Sequence, residues 1–154
     1  MLIAGTNKVT PPPADAVYQV KARLLVLGFK CTADEITALI GVQPTRTWCK
    51  GDPVTERSIN VHHENGWEFR SPADPFHTTP EDSIGTLLAR LPSLEPFCRL
   101  PAECQTQLTV TIFGYKERPY AFLSADTVVK LAMIRADLDI DTYDLSTAQD
   151  ATNP

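Results

Sequence analysis

The sequence has few of the features that usually indicate a membrane, secreted or nucleic-acid-binding protein. No apolar run approaches membrane-spanning length, and no basic segment followed by a long apolar stretch opens the chain, so we expect a cytoplasmic protein that meets no membrane. Positive charge is in deficit, with 14 Lys and Arg against 19 Asp and Glu and a net charge of −5. Because Lys and Arg supply nonspecific affinity for phosphates, this balance argues against a nucleic-acid partner and favours a basic one.

Cysteine and histidine are also scarce, and their spacing matches no familiar metal or catalytic motif. The four cysteines, at positions 31, 49, 98 and 104, form no tight framework, and a chain of 154 residues can bury a core without cross-links. There is no Cys-x-x-Cys or His-Glu-x-x-His motif, and the adjacent His62 and His63 would point to opposite faces of a strand. We therefore predict reduced thiols, no metal, no cofactor and no catalytic residue.

Hydrophobic periodicity and capping signals predict a strand and then a helix near the start of the chain. Residues 18–28 alternate and then become fully apolar, as in a strand that enters a sheet core, and Gly28 ends this run. Thr32 with a glutamate three residues later is a capping box, and Gly41 supplies the stop signal of the helix.

A long loop and a hairpin are expected next. Residues 42–56 contain two prolines and show no period, which predicts an irregular connection. Residues 58–62 and 67–70 are both typical of strands, and Asn65-Gly66 between them favours the positive backbone angles of a tight turn. We therefore predict a β-hairpin from Ser58 to Arg70.

The second half of the chain is expected to add two helices and three strands. These are a helix from Thr79 to Pro92, a hairpin of strands 107–115 and 120–123, a helix capped by Ser124, and a closing strand at 137–143. Helices alternating with hairpins predict an α+β fold, in which about three helices pack against a mostly antiparallel sheet. We expect a single domain at residues 17–145 between flexible tails at 1–16 and 146–154.

The first candidate binding surface is the loop at residues 43–52. Long irregular loops on a rigid scaffold are where binding residues concentrate. A tryptophan stands here among charged side chains, as in many partner-binding surfaces: Arg46, Trp48, Lys50 and Asp52. The alternative is that Trp48 and Trp67 both cover the core while the charged side chains are solvated.

The second candidate surface is the closing strand. Asp137, Asp139 and Asp141 would place three carboxylates on one face of the strand, with aliphatic residues on the other. A calcium loop is excluded, because Thr142 occupies the position that needs glycine and Ala148 the position of the last acidic ligand. The charges then either prevent edge-to-edge aggregation or form a docking face for a basic partner.

Five short blocks follow one another in a pattern along most of the chain. They are Asp34 to Thr37, Gly41 to Thr45, Lys50 to Asp52, Trp67, and the run from Leu138 to Tyr143. Together they resemble a bacterial family known as a domain of unknown function, over a stretch from about Val20 to Tyr143. The resemblance implies a shared fold, but it indicates neither an activity nor a ligand.

Three functions are compatible with these features. The first is a noncatalytic protein-binding module that uses the loop and the acidic strand, such as a bacterial immunity protein or antitoxin that blocks a basic toxin. The second is a structural protein whose exposed sheet edge pairs with a second copy, which predicts a homodimer. The third is a small-ligand protein or thiol-dependent enzyme. We rank it last, because no two of its candidate residues stand at a spacing that a catalytic mechanism requires. These candidates are Cys49, Asp52, His62 and His63.

Overall fold

Five strands form one open sheet, and three helices pack against it. In the structure, a computed structural model that describes residues 11–146, the elements in chain order are β1 (Tyr18–Leu27), α1 (Ala33–Ile40), β2 (Arg46–Trp48), β3 (Gly66–Arg70), α2 (Pro80–Ala89), a short 3-10 helix (Glu95–Arg99), β4 (Gln105–Gly114), α3 (Ala125–Met133) and β5 (Ala136–Asp144). The sheet order is β2-β3-β1-β4-β5, antiparallel throughout except that β5 runs parallel to β4. The predicted α+β class with a mostly antiparallel sheet and a single domain is confirmed. Of the two predicted tails, residues 1–10 and 147–154 lie outside the described part of the chain.

All three helices begin at the side-chain caps that the sequence predicts. Thr32 accepts from the backbone N–H of Glu35 at 3.2 Å, and the Glu35 carboxylate accepts from the N–H of Thr32 at 2.8 Å, which completes the capping box. Thr79 and Ser124 accept in the same way at the starts of α2 and α3. Gly41 ends α1 in the left-handed conformation, at a φ of 83°, where a residue with a side chain would be strained.

The core lies between the helices and one face of the sheet. Alternate residues of β1 and β4 point into it, and Trp67 of β3 is its largest fully buried side chain. The indole N–H of Trp67 donates to the hydroxyl of Thr37 on α1 at 3.1 Å, so its one polar group is satisfied inside the core. The opposite face of the sheet, which we call the open face, carries Arg23, Glu68 and the aspartates of β5.

The first predicted hairpin is wrong. Residues 58–62 form no strand. On the side of β3 away from β1, the partner is β2, which lies inside the stretch expected to be an irregular loop. Gly66 belongs to β3 rather than to a turn, and a Cβ at this position would lie 2.0 Å from the indole ring of Trp48. The Asn-Gly pair therefore reflects close packing of Trp48, and Ile59 is 97% exposed because residues 58–62 have no sheet to enter.

The second predicted hairpin is also wrong. Residues 120–123 form no strand, and Tyr120 is 86% exposed. β4 pairs instead with β1 on one side and with β5, in parallel, on the other. A parallel partner requires a crossover, which α3 supplies, so the position beside β4 that residues 120–123 would have taken is filled by β5.

Candidate functional surfaces

The loop at residues 43–52 is held to the sheet by hydrogen bonds of its own. The Asp52 carboxylate accepts from the N–H of Cys49 at 2.7 Å, and the Asn65 side chain accepts from the N–H of Lys50 at 2.8 Å. The Asn65 amide also donates to the carbonyl of Phe29 at 2.8 Å, which ties the loop to the end of β1. Asp52 therefore shapes the loop, whereas Lys50 is exposed on its surface.

Trp48 and Arg46 are also used within the molecule. The Trp48 ring stacks on His62 with centroids 4.5 Å apart, and the Arg46 guanidinium lies 5.4 Å from the Trp48 ring centroid. Arg46 donates to the carbonyl of Val54 at 2.9 Å and lies 3.4 Å from Nε2 of His62. Burial, and then the charge of Arg46, lower the pKa of His62, so this imidazole is neutral at neutral pH. Both predicted residues thus have intramolecular contacts.

Strand β5 has the opposite character, because its side chains are exposed along both faces. It ends the sheet order, and every residue from Asp137 to Asp144 is exposed. Its backbone pairs with β4 over nine residues on one side, while the other side faces away from the sheet. An edge strand of this length presents a row of N–H and C=O groups with which another strand can pair.

The three predicted aspartates of β5 lie together on the open face. Gln105 and Gln107 of β4 donate side-chain N–H groups to Asp137 at 3.0 Å and to Asp139 at 3.4 Å. These amides orient the carboxylates and bring no positive charge to them. Asp141 follows two residues further along the same face.

The carboxyl end of β5 is fixed by polar and aromatic contacts. Hydrogen bonds from Ser146, and then one from Arg118 at 2.7 Å, lower the pKa of Asp144 to about 2. The Tyr143 ring stacks on Phe113 of β4 with centroids 5.1 Å apart. The strand is therefore exposed but anchored at its end.

Large exposed apolar side chains concentrate in the last part of the described chain. Of ten such residues in the described part of the chain, eight lie between positions 120 and 143. Those on α3 and β5, apart from Tyr143, are Val128, Val129, Met133, Leu138 and Ile140. Exposed apolar groups that gather in one region mark contact surfaces more often than groups scattered singly do.

A charged cluster on the open face was not predicted from the sequence. Arg23 and Arg70 occupy paired positions on β1 and β3, and the buried Glu68 lies between their guanidiniums. Arg23 approaches one carboxylate oxygen of Glu68 at 3.4 Å, and Arg70 binds the other. The available signal was a glutamate between two aromatic residues of a short strand, which places it opposite the core.

No thiol is hydrogen-bonded to an imidazole in the described residues. All four cysteines are free, and the one thiol hydrogen bond found in residues 11–146 runs from Cys98 to the carbonyl of Met133 at 3.4 Å. Burial raises the pKa of Cys104 to about 11, which suppresses its thiolate at neutral pH. Within the same residues no group of three or more His, Cys, Asp or Glu side chains is arranged to hold a metal ion. No described helix is both long and apolar enough to cross a membrane.

These features define a single-domain α+β protein whose sheet is closed by a loop at one edge and open at the other. A family model described as Domain of unknown function (DUF4279) matches residues 18–145, and the chain belongs to that family. Comparison with curated proteins and with solved structures gives no match.

Proposed function

We propose that the chain is a noncatalytic binding domain that holds another protein by accepting a basic strand at the free edge of β5. The observation that carries this proposal is that β5 is paired over nine residues on one side and exposed on both faces. In recognition of this kind, main-chain hydrogen bonds supply affinity and alternate side chains supply specificity. A bacterial immunity protein or antitoxin directed at a basic toxin is one form of such a domain.

The side chains of β5 define the chemistry of the partner strand. On the open face it offers three carboxylates, whereas on the helix-covered face Leu138 and Ile140 are 40% and 42% exposed. Because strand side chains alternate with a period of two, a partner that alternates Lys or Arg with aliphatic residues would complement both faces at once. The partner we infer is therefore a basic, amphipathic strand of another protein.

A second copy of this chain fits the edge less well. In a two-fold symmetric antiparallel pair, residues of the same face lie opposite each other, so the aspartates of one β5 would oppose those of the other. Like charges directly opposite each other across a strand pair are destabilising. The charge of β5 thus favours a basic partner over a homodimer.

The proposal is tested by fluorescence anisotropy with a labelled peptide that matches β5 in length and alternates Lys with Val. We expect saturable binding that weakens as salt rises, because exposed ion pairs are screened. The variant Asp137→Asn/Asp139→Asn/Asp141→Asn should bind about tenfold more weakly, since three exposed ion pairs contribute about 0.5 kcal/mol each.

Two controls separate edge pairing from general attraction to an acidic protein. The variant Asp34→Asn/Glu56→Gln/Glu95→Gln removes the same number of charges from exposed positions elsewhere, and it should bind the peptide as the wild type does. A peptide with Glu in place of Lys should not bind. The proposal fails if the basic peptide does not bind, or if both triple variants lose affinity equally.

A further inference from the structure

A cleft of about 790 Å³ opens beside β1, where β3 ends at Arg70 and β1 continues. One wall is the segment at residues 71–76, whose Ser71 N–H donates to the carbonyl of Ala22 at 2.9 Å. The N–H of Val20 donates in turn to the carbonyl of Pro75 at 2.8 Å, so both ends of this wall are attached to β1. A cleft of this volume lies in the range of sites for small molecules.

Positive charge collects in this cleft although the chain as a whole is acidic. Lys21, Arg23 and Arg70 line it, Glu68 contacts both arginines, and the exposed Asp74 lies at its rim. A hydrogen bond from His77 at 2.8 Å lowers the pKa of Asp74, so this carboxylate is a negative charge at the rim. The three cations outnumber the two carboxylates, so the cleft retains a net charge of +1, to which Lys21 is essential.

The buried carboxylate also fixes the direction of both arginines. The Glu68 side chain is 2% exposed, whereas those of Arg23 and Arg70 are 46% and 44% exposed. Glu68 takes up Nη1 of Arg23 and Nε of Arg70, so each guanidinium has further N–H donors that are not used by Glu68. Two guanidiniums held by one carboxylate match the several oxygens of a phosphate group better than the two oxygens of a carboxylate.

We propose that this cleft binds a small organic phosphate, a site separate from the edge of β5. The phosphate would lie against Arg23 and Arg70, with Lys21 as a third cation, and Glu68 would act as a positioning residue for both arginines. The organic part would lie against the edge of the Phe113 ring, which also lines the cleft, because Tyr143 stacks on one face of that ring and Nζ of Lys21 lies 5.6 Å from its centroid. An aromatic group on the ligand suits this wall, because rings pack favourably against each other.

Isothermal titration calorimetry with phenyl phosphate at constant ionic strength tests the proposal. We expect one saturable site per chain with a Kd below about 1 mM. Lys21→Gln should weaken binding about tenfold while the Glu68 contacts stay intact. Arg70→Lys should weaken it by a similar factor, because the charge remains but the planar fork is lost. Lys116→Gln removes an exposed lysine outside the cleft and should bind as the wild type does.

A thermal melt of each variant shows whether the fold is kept, and phenylacetate serves as the carboxylate probe. Weaker binding of phenylacetate supports the assignment to phosphate, whereas equal binding overturns it. The site itself is overturned if phenyl phosphate gives no saturable heat, or if Lys116→Gln loses as much affinity as Lys21→Gln. None of these variants alters β5, so this result is independent of the peptide experiment.

Discussion

The two edges of the sheet end in different ways. β2 is three residues long, and its Trp48 ring is stacked on His62 and packed over Gly66, so the edge is covered by the chain that follows it. β5 is nine residues long, and no described segment of the chain covers its outer side. The first edge is thus closed by intramolecular contacts, and the second is left open.

The difference shows that residue type alone does not identify a binding surface. The loop at residues 43–52 has the Trp and Arg that are enriched in interfaces, yet their rings and donors are engaged within the molecule. The strand β5 has aspartates, which are depleted in interface cores, yet its outer backbone edge is unpaired and its side chains are exposed on both faces. What decides is whether the groups are already satisfied.

The largest expected effect on stability comes from placing a methyl group in the space that the Trp48 ring fills over Gly66. In Gly66→Ala the new Cβ would overlap two carbons of the indole at 2.0 Å, so the ring must leave its stack on His62 and its place beside β3. We expect the free energy of unfolding to fall by about 3 kcal/mol, as in severe overpacking. Urea denaturation measures this change.

Two further variants show whether Trp48 is the cause. In the background of Trp48→Ala, the change Gly66→Ala should cost less than about 1 kcal/mol, because the obstacle is gone. Gly85→Ala on α2 meets nothing within 4 Å and should raise stability by about 0.5 to 1 kcal/mol. Equal costs of Gly66→Ala in the two backgrounds would show that the loop edge does not depend on this packing.

A smaller effect should appear in the pH dependence of the free energy of unfolding, through His62 at the sheet edge formed by β2. The pKa of His62 is lowered in the folded chain by burial and by Arg46, whereas in the unfolded chain it returns to about 6.5. As pH falls through about 6.5, the unfolded chain takes up a proton that the folded chain resists, so stability should decrease toward acid.

Urea denaturation between pH 7.5 and 5.5 measures this dependence. His62→Phe keeps an aromatic ring against Trp48 and removes the titrating group, so its stability should vary less with pH than that of the wild type. His63→Phe, at the exposed neighbouring position, removes only the smallest of the influences on the pKa of His62, so its slope should stay closer to that of the wild type. If the two variants have the same slope, the stack does not control the titration of the loop.

Local signals predicted the helices and the strands of the core well. Thr32, Thr79 and Ser124 cap the three helices as expected, because a capping hydroxyl and its acceptor lie within one turn of the chain. The apolar runs of β1 and β4 and the alternation of β5 were also legible from side-chain period alone.

Features that depend on contacts far apart in the sequence were not predictable in this way. The pairing of β2 with β3 rests on Trp48 packing over Gly66, and the Asn65-Gly66 pair imitates a turn signal. The cleft cluster joins Arg23 to residues more than forty positions away, and only the register of β1 with β3 brings them together. The free edge of β5 likewise follows from strand order, which the period of side chains does not contain.

The smallest expected effect on stability is at β5, and it is the one that sharpens the contrast with the loop. Asp137→Asn/Asp139→Asn/Asp141→Asn alters exposed groups that hold no core contact, so the free energy of unfolding should change by less than about 0.5 kcal/mol. The same change removes the opposition of like charges in a β5–β5 pair, so the variant should associate more at high concentration than the wild type. Sedimentation velocity measures both proteins. A wild type that is already dimeric through this edge would mean that its carboxylates do not exclude a second copy, and the edge would then serve self-assembly rather than a basic partner.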